Sequence, residues 1–416
     1  MFALVDGNNF YVSCERVFNP ALEGKPVVVL SNNDGCIISR SNEAKALGFK
    51  MAQPVYQTKD IIEKHNVAVF SSNYTLYGDM SNRMMKTLMD FSPEVEVYSI
   101  DEAFLNLQGI TVNLDEYAQR IKSTIQKNIG IPVGVGVAHT KTLAKIANKI
   151  GKKSNGFFVI DSEEKRVWAL KNTPIDDVWG IGRQYSKMLQ QYGVHTAYDF
   201  TRLAASWVNQ KMTVVGQRTL DELLGTPCIS LETIVKAKKN IATTRGFGKK
   251  ISDIGIISEA VATHAVRCAE KLRKQHSVVS YVTIFIHTDP FSTTEKYIYR
   301  SVTITLDEPS NSNQSVAQAA LLGLKRIFIP NQPYRKTGVI VSGISSENYI
   351  QTSIFSTADR EKLKKLSQIS DNLNAKYGRD KLKLAVQGSC KDWHLKHEKL
   401  SPCYTTRWND LLKVKL

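Results

Sequence analysis

No stretch of the 416-residue chain is long and apolar enough to cross a membrane: runs such as VVVL (27–30) and VTIFI (282–286) fall far short of the roughly 18 consecutive apolar residues a spanning helix needs. Cysteine is scarce too. The six residues, at 14, 36, 228, 268, 390 and 403, form no CxxC pair, which argues against a disulfide scaffold and for reduced thiols, most of them small core residues. The opening MFALVDGNNF lacks a basic region before an apolar run, so neither a secretory signal nor a transit peptide is expected, and the expected compartment is the cytoplasm. Low-complexity segments and internal repeats are missing as well, which excludes a fibrous architecture. What remains is a globular composition, 42% hydrophobic and 23% charged, in a chain whose length suits two to four domains of roughly 100 to 200 residues.

Acidic residues are the minority sign. Lys and Arg total 55 against 39 Asp and Glu, a net charge of +16, and a protein this basic usually meets a polyanion. The excess is uneven: residues 1–110 carry −4, residues 111–240 carry +8 and residues 241–416 carry +12. An acidic first quarter followed by basic segments suggests a carboxylate site, of the kind that takes metal, joined to modules that hold phosphate backbones. A soluble enzyme with solvated lysines also fits the total taken alone.

FALVD (2–6) reads as a short buried strand entering the turn GNN, with FYVSCERVF spaced as a helix beyond it, so Asp6 stands at a strand end. KPVVVL and GCIISRS are strand-like, and NEAKALGFK is a short helix closed by glycine. VEVYS and EAFLNL, flanking Ile100 and Asp101, predict an antiparallel hairpin whose tip carries adjacent acids. VGVGVA is a further strand, followed by the helix TKTLAKIANKIGKK, in which Lys141, Lys145 and Lys149 share one side. From about 166 to 230 the pattern is helical, and PIDDVWGIGRQYSKMLQQYG predicts a helix, a glycine hairpin and a second helix. After a basic linker, VKAKKN (235–240), come strand 241–248, helix 258–275, strands 278–288 and 297–306, helix 314–328 and strand 335–344, a small βαββαβ domain. In its third strand Ile298, Val302, Ile304 and Leu306 share one face, while Tyr299, Ser301, Thr303 and Thr305 give the other to phosphates or to water. Residues from about 346 read as a polar, lysine-rich tail with local helices.

The candidate catalytic acids are Asp6, Asp101 and Glu102, borne on strands beside apolar neighbours, where an uncompensated carboxylate would be costly. Burying them demands cations, and hard oxygen ligands favour magnesium. An adjacent Asp and Glu in a loop is also a common solvated turn. WGIGR (179–183) reads as a helix-hairpin-helix whose amides grip a phosphate without reading bases, although short glycine turns between helices are ordinary. Cys390, His394, His397 and Cys403 hold ligand types for zinc, but their spacing matches no standard finger.

The segments DGNNFYVSCE, SNNDGCIISRSNEAKALG, SSNYTLYGDMS, YSIDEAFLNL, VGVGVAHTKTLAKIAN, DDVWGIGR and LSPCYTTRWNDLLKVK run in this order from the start of the chain nearly to its end. Together they resemble the Y-family translesion DNA polymerases. The resemblance implies an α/β (α+β) multidomain fold shaped as a right hand. Its parts would be a palm (1–19 and 77–165), fingers (20–76), a helical helix-hairpin-helix thumb (166–231), a linker (232–240) and a βαββαβ little finger (241–345). A C-terminal tail (346–416) would carry a clamp-binding peptide. The implied activity is error-prone, template-directed DNA synthesis across lesions in the SOS response, by two-metal nucleotidyl transfer from dNTP to a primer 3′-hydroxyl. Implied partners are primer-template DNA, a processed UmuD-like dimer, a RecA filament and the sliding clamp, and the implied cofactor is two Mg2+ ions.

Roles follow by similarity. Asp6 and Asp101 would bridge both ions, Glu102 would bind the catalytic one, and the Gly7 carbonyl would complete the nucleotide-side site. Tyr11 matches the steric gate that excludes a ribose 2′-hydroxyl, a position where a core tyrosine on a helix face is the plainer reading. The Asn9 and Phe10 amides would face the triphosphate, with Lys45 and Lys152 as its basic partners. Lys45 and Lys152 each also suit a solvated helix, and Lys153 competes for the place of Lys152. Asn8 and Asn42 depart from the acid and the aromatic found in other branches. Ile38 and Ser39 would roof the nascent base pair. Gly180 and Gly182 would serve the helix-hairpin-helix. Arg245, Lys249 and Lys250, with the KLRK run at 271–274, would give the little finger its DNA contacts. Gln351, Ile354 and Phe355 fit the clamp peptide.

Two other readings use the same residues: a catalytically inactive DNA-binding repair scaffold, against which the three acids speak, and a palm-type nucleotidyl cyclase. A cyclase has no duplex to hold, so the helix-hairpin-helix, the basic little finger and the clamp peptide discriminate against it. No second set of acids for proofreading is apparent, which fits low fidelity.

Overall fold

The computed structural model describes all residues except 235, 352–358, 390–392, 394 and 413–416. The chain divides into two compact units, Met1–Val235 with Glu398–Leu416, and Lys236–His397.

The first unit begins with β1 (Phe2–Gly7), α1 (Phe10–Phe18), β2 (Val27–Leu30), β3 (Ile37–Arg40), α2 (Asn42–Ala46), α3 (Lys59–Lys64), β4 (Ala68–Ser71) and α4 (Tyr74–Leu88). It continues through β5 (Val95–Val97), β6 (Glu102–Asn106), α5 (Leu114–Ile129), β7 (Val133–Ala138), α6 (Lys141–Gly151) and β8 (Phe157–Ile160), then α7 (Glu163–Lys171), α8 (Arg183–Gln191), α9 (Ala197–Thr201) and α10 (Ala205–Leu223). Five strands form a sheet in the order β5-β6-β1-β7-β8. β1 is antiparallel to both β6 and β7, so it lies at the centre and its apolar residues Ala3, Leu4 and Val5 are buried on both faces. A smaller sheet, β3-β2-β4, is built around VVVL, all four residues of which are buried.

Local chemistry fixes the helices that flank the central sheet. Asn113 caps α5 by accepting from Asp115 N at 2.9 Å, and Gly130, at φ 79°, ends it in the left-handed region that glycine tolerates. Gly136 lets α6 lie directly on β7: a Cβ there would meet the Asn148 backbone N at 2.1 Å. Asn148 then donates to the Gly134 carbonyl at 2.7 Å and the Leu4 carbonyl at 3.3 Å, tying α6 to two strands.

Between α7 and α8 the structure departs from the sequence pattern. The helix expected before the glycine hairpin is a single 3-10 turn, Ile175–Asp177. Pro174 and the left-handed Gly180 (φ 91°) bracket it, Val178 is extended at its end (ψ 128°), and Ile175 N donates to the His195 carbonyl at 2.9 Å. The chain end also differs from the expected tail. Residues 398–404 return to the first unit, where Leu400 bridges Ser71 in parallel and Tyr404 stacks on Phe18.

The second unit contains β9 (Ile241–Ile251), α11 (Ile254–Lys274), β10 (Ser277–His287), β11 (Tyr299–Ser310), α12 (Asn313–Ile327), β12 (Tyr334–Ser346) and α13 (Arg360–Tyr377). This is the βαββαβ order the sequence predicts, closed as the antiparallel sheet β11-β10-β12-β9. Alternation in β11 holds: Ile304 is buried, Thr303 and Thr305 are exposed, and Thr303 shares a 2.8 Å hydroxyl hydrogen bond with Thr283. Among the described residues no helix is long and apolar enough to cross a membrane.

Candidate active site

Asp6 and Glu102 are direct partners in the antiparallel register of β1 and β6. Asp101 precedes Glu102 at the tip of the β5–β6 hairpin, and its carbonyl accepts from Gly7 N at 2.8 Å. The tip is stiffened by Ser99. Its hydroxyl donates to Asp101 Oδ1 at 2.6 Å and accepts from the backbone N of Asp101 and of Glu102 at 3.2 and 3.1 Å. Sheet pairing and one serine therefore bring together acids that lie about a hundred residues apart in sequence.

Each strand acid meets its own lysine. Lys152 Nζ lies 2.7 Å from Asp6 Oδ1, and Lys145 Nζ lies 2.8 Å from Glu102 Oε1. The stem of Lys152 crosses β7 where Gly134 has no side chain, since a Cβ there would meet Lys152 Cγ at 2.7 Å. Burial pushes the Asp6 carboxyl up to about 6 against the pull of Lys152, with smaller upward pushes from Glu102 and Asp101.

Asp6 and Asp101, but not Glu102, line a cleft of about 350 Å³ together with Phe10, Tyr11, Ile38, Ser39 and Lys45. Lys152 lines it and Lys153 does not. Tyr11 is half-buried; its ring lies parallel to Tyr77, 4.5 Å away at 15°, and edge-on to Tyr74. Burial, then Tyr74 and Asp101, push its hydroxyl up to about 12, so it stays a neutral phenol at ordinary pH. Lys45 donates to Asn9 Oδ1 at 2.6 Å, and Asn9 Nδ2 donates to Asn42 Oδ1 at 3.1 Å, joining the start of α1 to α2. Asn9 takes the left-handed conformation, φ 48°, and its side chain makes no cap to α1. Burial, then Arg40 and Lys152, lower the Lys45 pKa.

The oxygen donors of Asp6, Asp101, Glu102 and the Gly7 carbonyl suit a hard divalent cation, and the buried, upshifted Asp6 calls for positive charge. Among the described residues no three Asp, Glu, His or Cys side chains are gathered tightly enough to ligate one ion as they stand. The neutralising charge comes instead from Lys152 and Lys145.

The remaining predicted contacts lie outside this cleft. Gly180 and Gly182 form the turn before α8, which starts at Arg183 with Gly182 at its N-cap position and no side-chain cap. Arg245, Lys249 and Lys250 are exposed on β9, and Lys250 pairs with Glu295 at 2.8 Å. The KLRK run is less available than its sequence suggests. Arg273 is held by Asp371 at 2.6 Å and by the Asn311 carbonyl at 2.6 Å, and Lys271 donates to the Ala242 carbonyl at 3.2 Å. Gln351 is exposed, while Ile354 and Phe355 of the clamp peptide fall outside the described residues. So do Cys390 and His394 of the zinc set; Cys403 is buried, its Sγ 3.7 Å from Asn73 Oδ1.

Comparison with known proteins is consistent along the chain. Residues 5–149 match the impB/mucB/samB family, residues 238–354 the impB/mucB/samB family C-terminal domain, and residues 364–414 a domain of unknown function (DUF4113). The chain belongs to the impB/mucB/samB family. It is 42% identical to protein UmuC of Salmonella typhimurium over 422 residues, covering 100% of both chains, and 35% identical to protein MucB of Escherichia coli, covering 99% of both. It is 27% identical to DNA polymerase IV of Pelotomaculum thermopropionicum, covering 92% of this chain and 94% of that one. A solved Y-family DNA polymerase chimera of Dbh and Dpo4 superposes with a TM-score of 0.66 at 22% identity, over 83% of this chain and 100% of the chimera. The fold is thus the Y-family polymerase fold.

In this member of the impB/mucB/samB family the sequence reading missed what the α6 lysines do. Lys141 pairs with Glu96, Lys145 with Glu102 and Lys149 with Asp177, so the row of lysines on one side of α6 is spent on three acids. Arg40 and Met51 also line the cleft. The alternating glycines of VGVGVA were the available signal, because small residues in a buried strand mark a closely approaching helix.

Proposed function

We propose that this chain is a template-directed DNA polymerase of the SOS response that copies past damaged bases, adding dNTP to a primer 3′-hydroxyl. The observation that carries this reading is the Asp6–Glu102 strand pairing with Asp101 at the hairpin tip, beneath a cleft lined by Tyr11, Ile38, Ser39, Lys45 and Lys152. Two Mg2+ ions, held by Asp6, Asp101, Glu102 and the Gly7 carbonyl, would supply activation of the attacking hydroxyl and charge neutralisation at the departing pyrophosphate. The chain's own groups then have distinct tasks. Lys152 exchanges Asp6 for the triphosphate, Lys45 binds it from the α2 side, and the Asn9 and Phe10 amides face it at the start of α1. The Tyr11 ring lies under the deoxyribose and collides with a 2′-hydroxyl. Ile38 and Ser39 pack on the nascent base pair, leaving room for a damaged template base.

The palm, fingers, thumb and little finger would follow the boundaries given by the resemblance. Gly180 and Gly182 at the uncapped start of α8 would hold a DNA phosphate, and Arg245, Lys249 and Lys250 on β9 would hold others. Residues 351–355 would dock on the sliding clamp, and a processed UmuD-like dimer and a RecA filament would complete the active form in the cytoplasm. A nucleotidyl cyclase would have no use for these duplex contacts.

The test is primer extension across an abasic template site by the full chain with the UmuD-like dimer and RecA filament. Extension that requires Mg2+ and stops with EDTA is the expected result. DNA binding without extension under every metal condition would favour the scaffold reading.

A further inference from the structure

The segment 398–404 is hydrogen-bonded into the wall behind the cleft. Ser71 N donates to the Lys399 carbonyl at 2.9 Å, and Lys399 N donates to Ser71 Oγ at 3.0 Å. Asn73 caps α4 by accepting from Leu76 N at 3.2 Å. Its Nδ2 donates to the Ser401 carbonyl at 2.9 Å, Ser401 Oγ at 3.0 Å and the Pro402 carbonyl at 3.2 Å. Ser401 Oγ donates in turn to Glu15 Oε1 at 2.9 Å, and Tyr77 Oη donates to the same oxygen at 2.7 Å. Tyr77 is fully buried and carries the ring that lies parallel to Tyr11. Beyond Ser401, Tyr404 stacks on Phe18 at the far end of α1, with ring centres 4.8 Å apart at 13°.

These contacts fasten α1, which carries Tyr11, Glu15 and Phe18, to α4, which carries Tyr77. Glu15, Asn73 and Ser401 are each buried. Water therefore has little access to replace a lost partner, and the loss must be absorbed by movement of the helices or of the tyrosine pair.

We propose that residues 398–404 are a positioning element of the nucleotide cleft: Ser401, through Glu15 and Tyr77, fixes the plane of the Tyr11 ring and so tunes discrimination between deoxyribose and ribose. The proposal rests on the polymerase reading, in which Tyr11 meets the sugar. It gives part of the domain of unknown function matched at residues 364–414 a task in the site. Ser401 touches neither nucleotide nor metal in this scheme; it acts through the two side chains ahead of it.

Steady-state incorporation of dNTP and of the matching rNTP by the full chain, with its partner proteins, tests the chain of contacts. The variants are Ser401→Ala, Tyr77→Phe, their double, and Ser401→Thr, which keeps the hydroxyl. Ser401→Ala should leave kcat for dNTP within about twofold, while the dNTP-over-rNTP ratio of kcat/KM falls about tenfold, the factor one lost buried hydrogen bond supplies. Tyr77→Phe should lower the ratio similarly, the double should lower it no further because both hydroxyls act on one carboxylate oxygen, and Ser401→Thr should restore it. If Ser401→Ala does not fold, Tyr77→Phe, which keeps the ring, tests the same link. Intact dNTP incorporation with an unchanged ratio in Ser401→Ala or Tyr77→Phe, or losses that add in the double, overturns this proposal alone. A wild-type chain that incorporates neither nucleotide overturns the polymerase reading and this proposal with it.

Discussion

Asp6 and Glu102 face one another across β1 and β6, and each is neutralised by its own lysine, Lys152 at 2.7 Å and Lys145 at 2.8 Å. Both lysines come from α6 or the residue that ends it, so one helix brings positive charge to two strand acids. The arrangement keeps a carboxylate site folded before any divalent ion or triphosphate arrives.

That site is built at the expense of stability. The Asp6 pKa rises from its ordinary 3.8 to about 6 through burial, so folding takes up a proton between these values. Its stabilising contribution is full below 3.8 and lost as pH rises through about 6. In metal-free buffer, Asp6→Asn should be more stable than wild type at pH 7.5 by on the order of 1–3 kcal/mol, with little difference near pH 4. Urea melts at the two pH values check this; the same variant should make no DNA.

Lys141 is almost wholly buried and pairs with Glu96, donates to the Ser230 carbonyl at 2.9 Å and lies over the Phe104 ring. Lys141→Ala leaves the Glu96 carboxylate buried without its cation, and should cost about 3–5 kcal/mol in urea denaturation. Lys141→Met combined with Glu96→Gln should recover most of that loss, because the unpaired charge is then gone.

His264 in α11 is buried with its ring edge-on to Trp393, and burial, helped by Arg245 and Lys271, lowers its pKa from 6.5 to about 3. The unfolded chain therefore binds a proton that the folded chain refuses. Stability from this group is present above pH 6.5 and is lost as pH falls towards 3, at up to about 1.4 kcal/mol per pH unit. His264→Leu should flatten the acid limb of a stability-against-pH curve between 6 and 4.

Tyr11→Ala should relax sugar selection while preserving DNA synthesis, since on the proposed reading the ring would obstruct a 2′-hydroxyl without forming a bond in the transfer. Competing dNTP and rNTP incorporation measures this directly. Unchanged exclusion of ribonucleotides would remove Tyr11 from that role.

Much of the framework was legible because it depends on short-range pattern. Alternation marked β11, the apolar run FALVD marked β1 with Asp6 at its end, and the hairpin around Asp101 followed from two β-rich runs. The illegible parts are long-range pairings. Nothing near Lys145 in sequence announces Glu102, and nothing near Ser401 announces Glu15, because such contacts exist only once the sheet and α4 have formed. The 3-10 turn at 175–177 stays short because Val178 is already extended, ψ 128°, which the local pattern did not announce.

On the proposed reading Asp6, Glu102 and the hairpin-tip Asp101 run nucleotidyl transfer. Its most direct test sets wild type beside Asp101→Asn in Mg2+-dependent extension across an abasic site, with partner proteins supplied and primer-template binding measured on the same samples. Wild type should extend the primer, the variant should not, and both should bind it comparably with a steep salt dependence. Equal extension by the two proteins would contradict that reading.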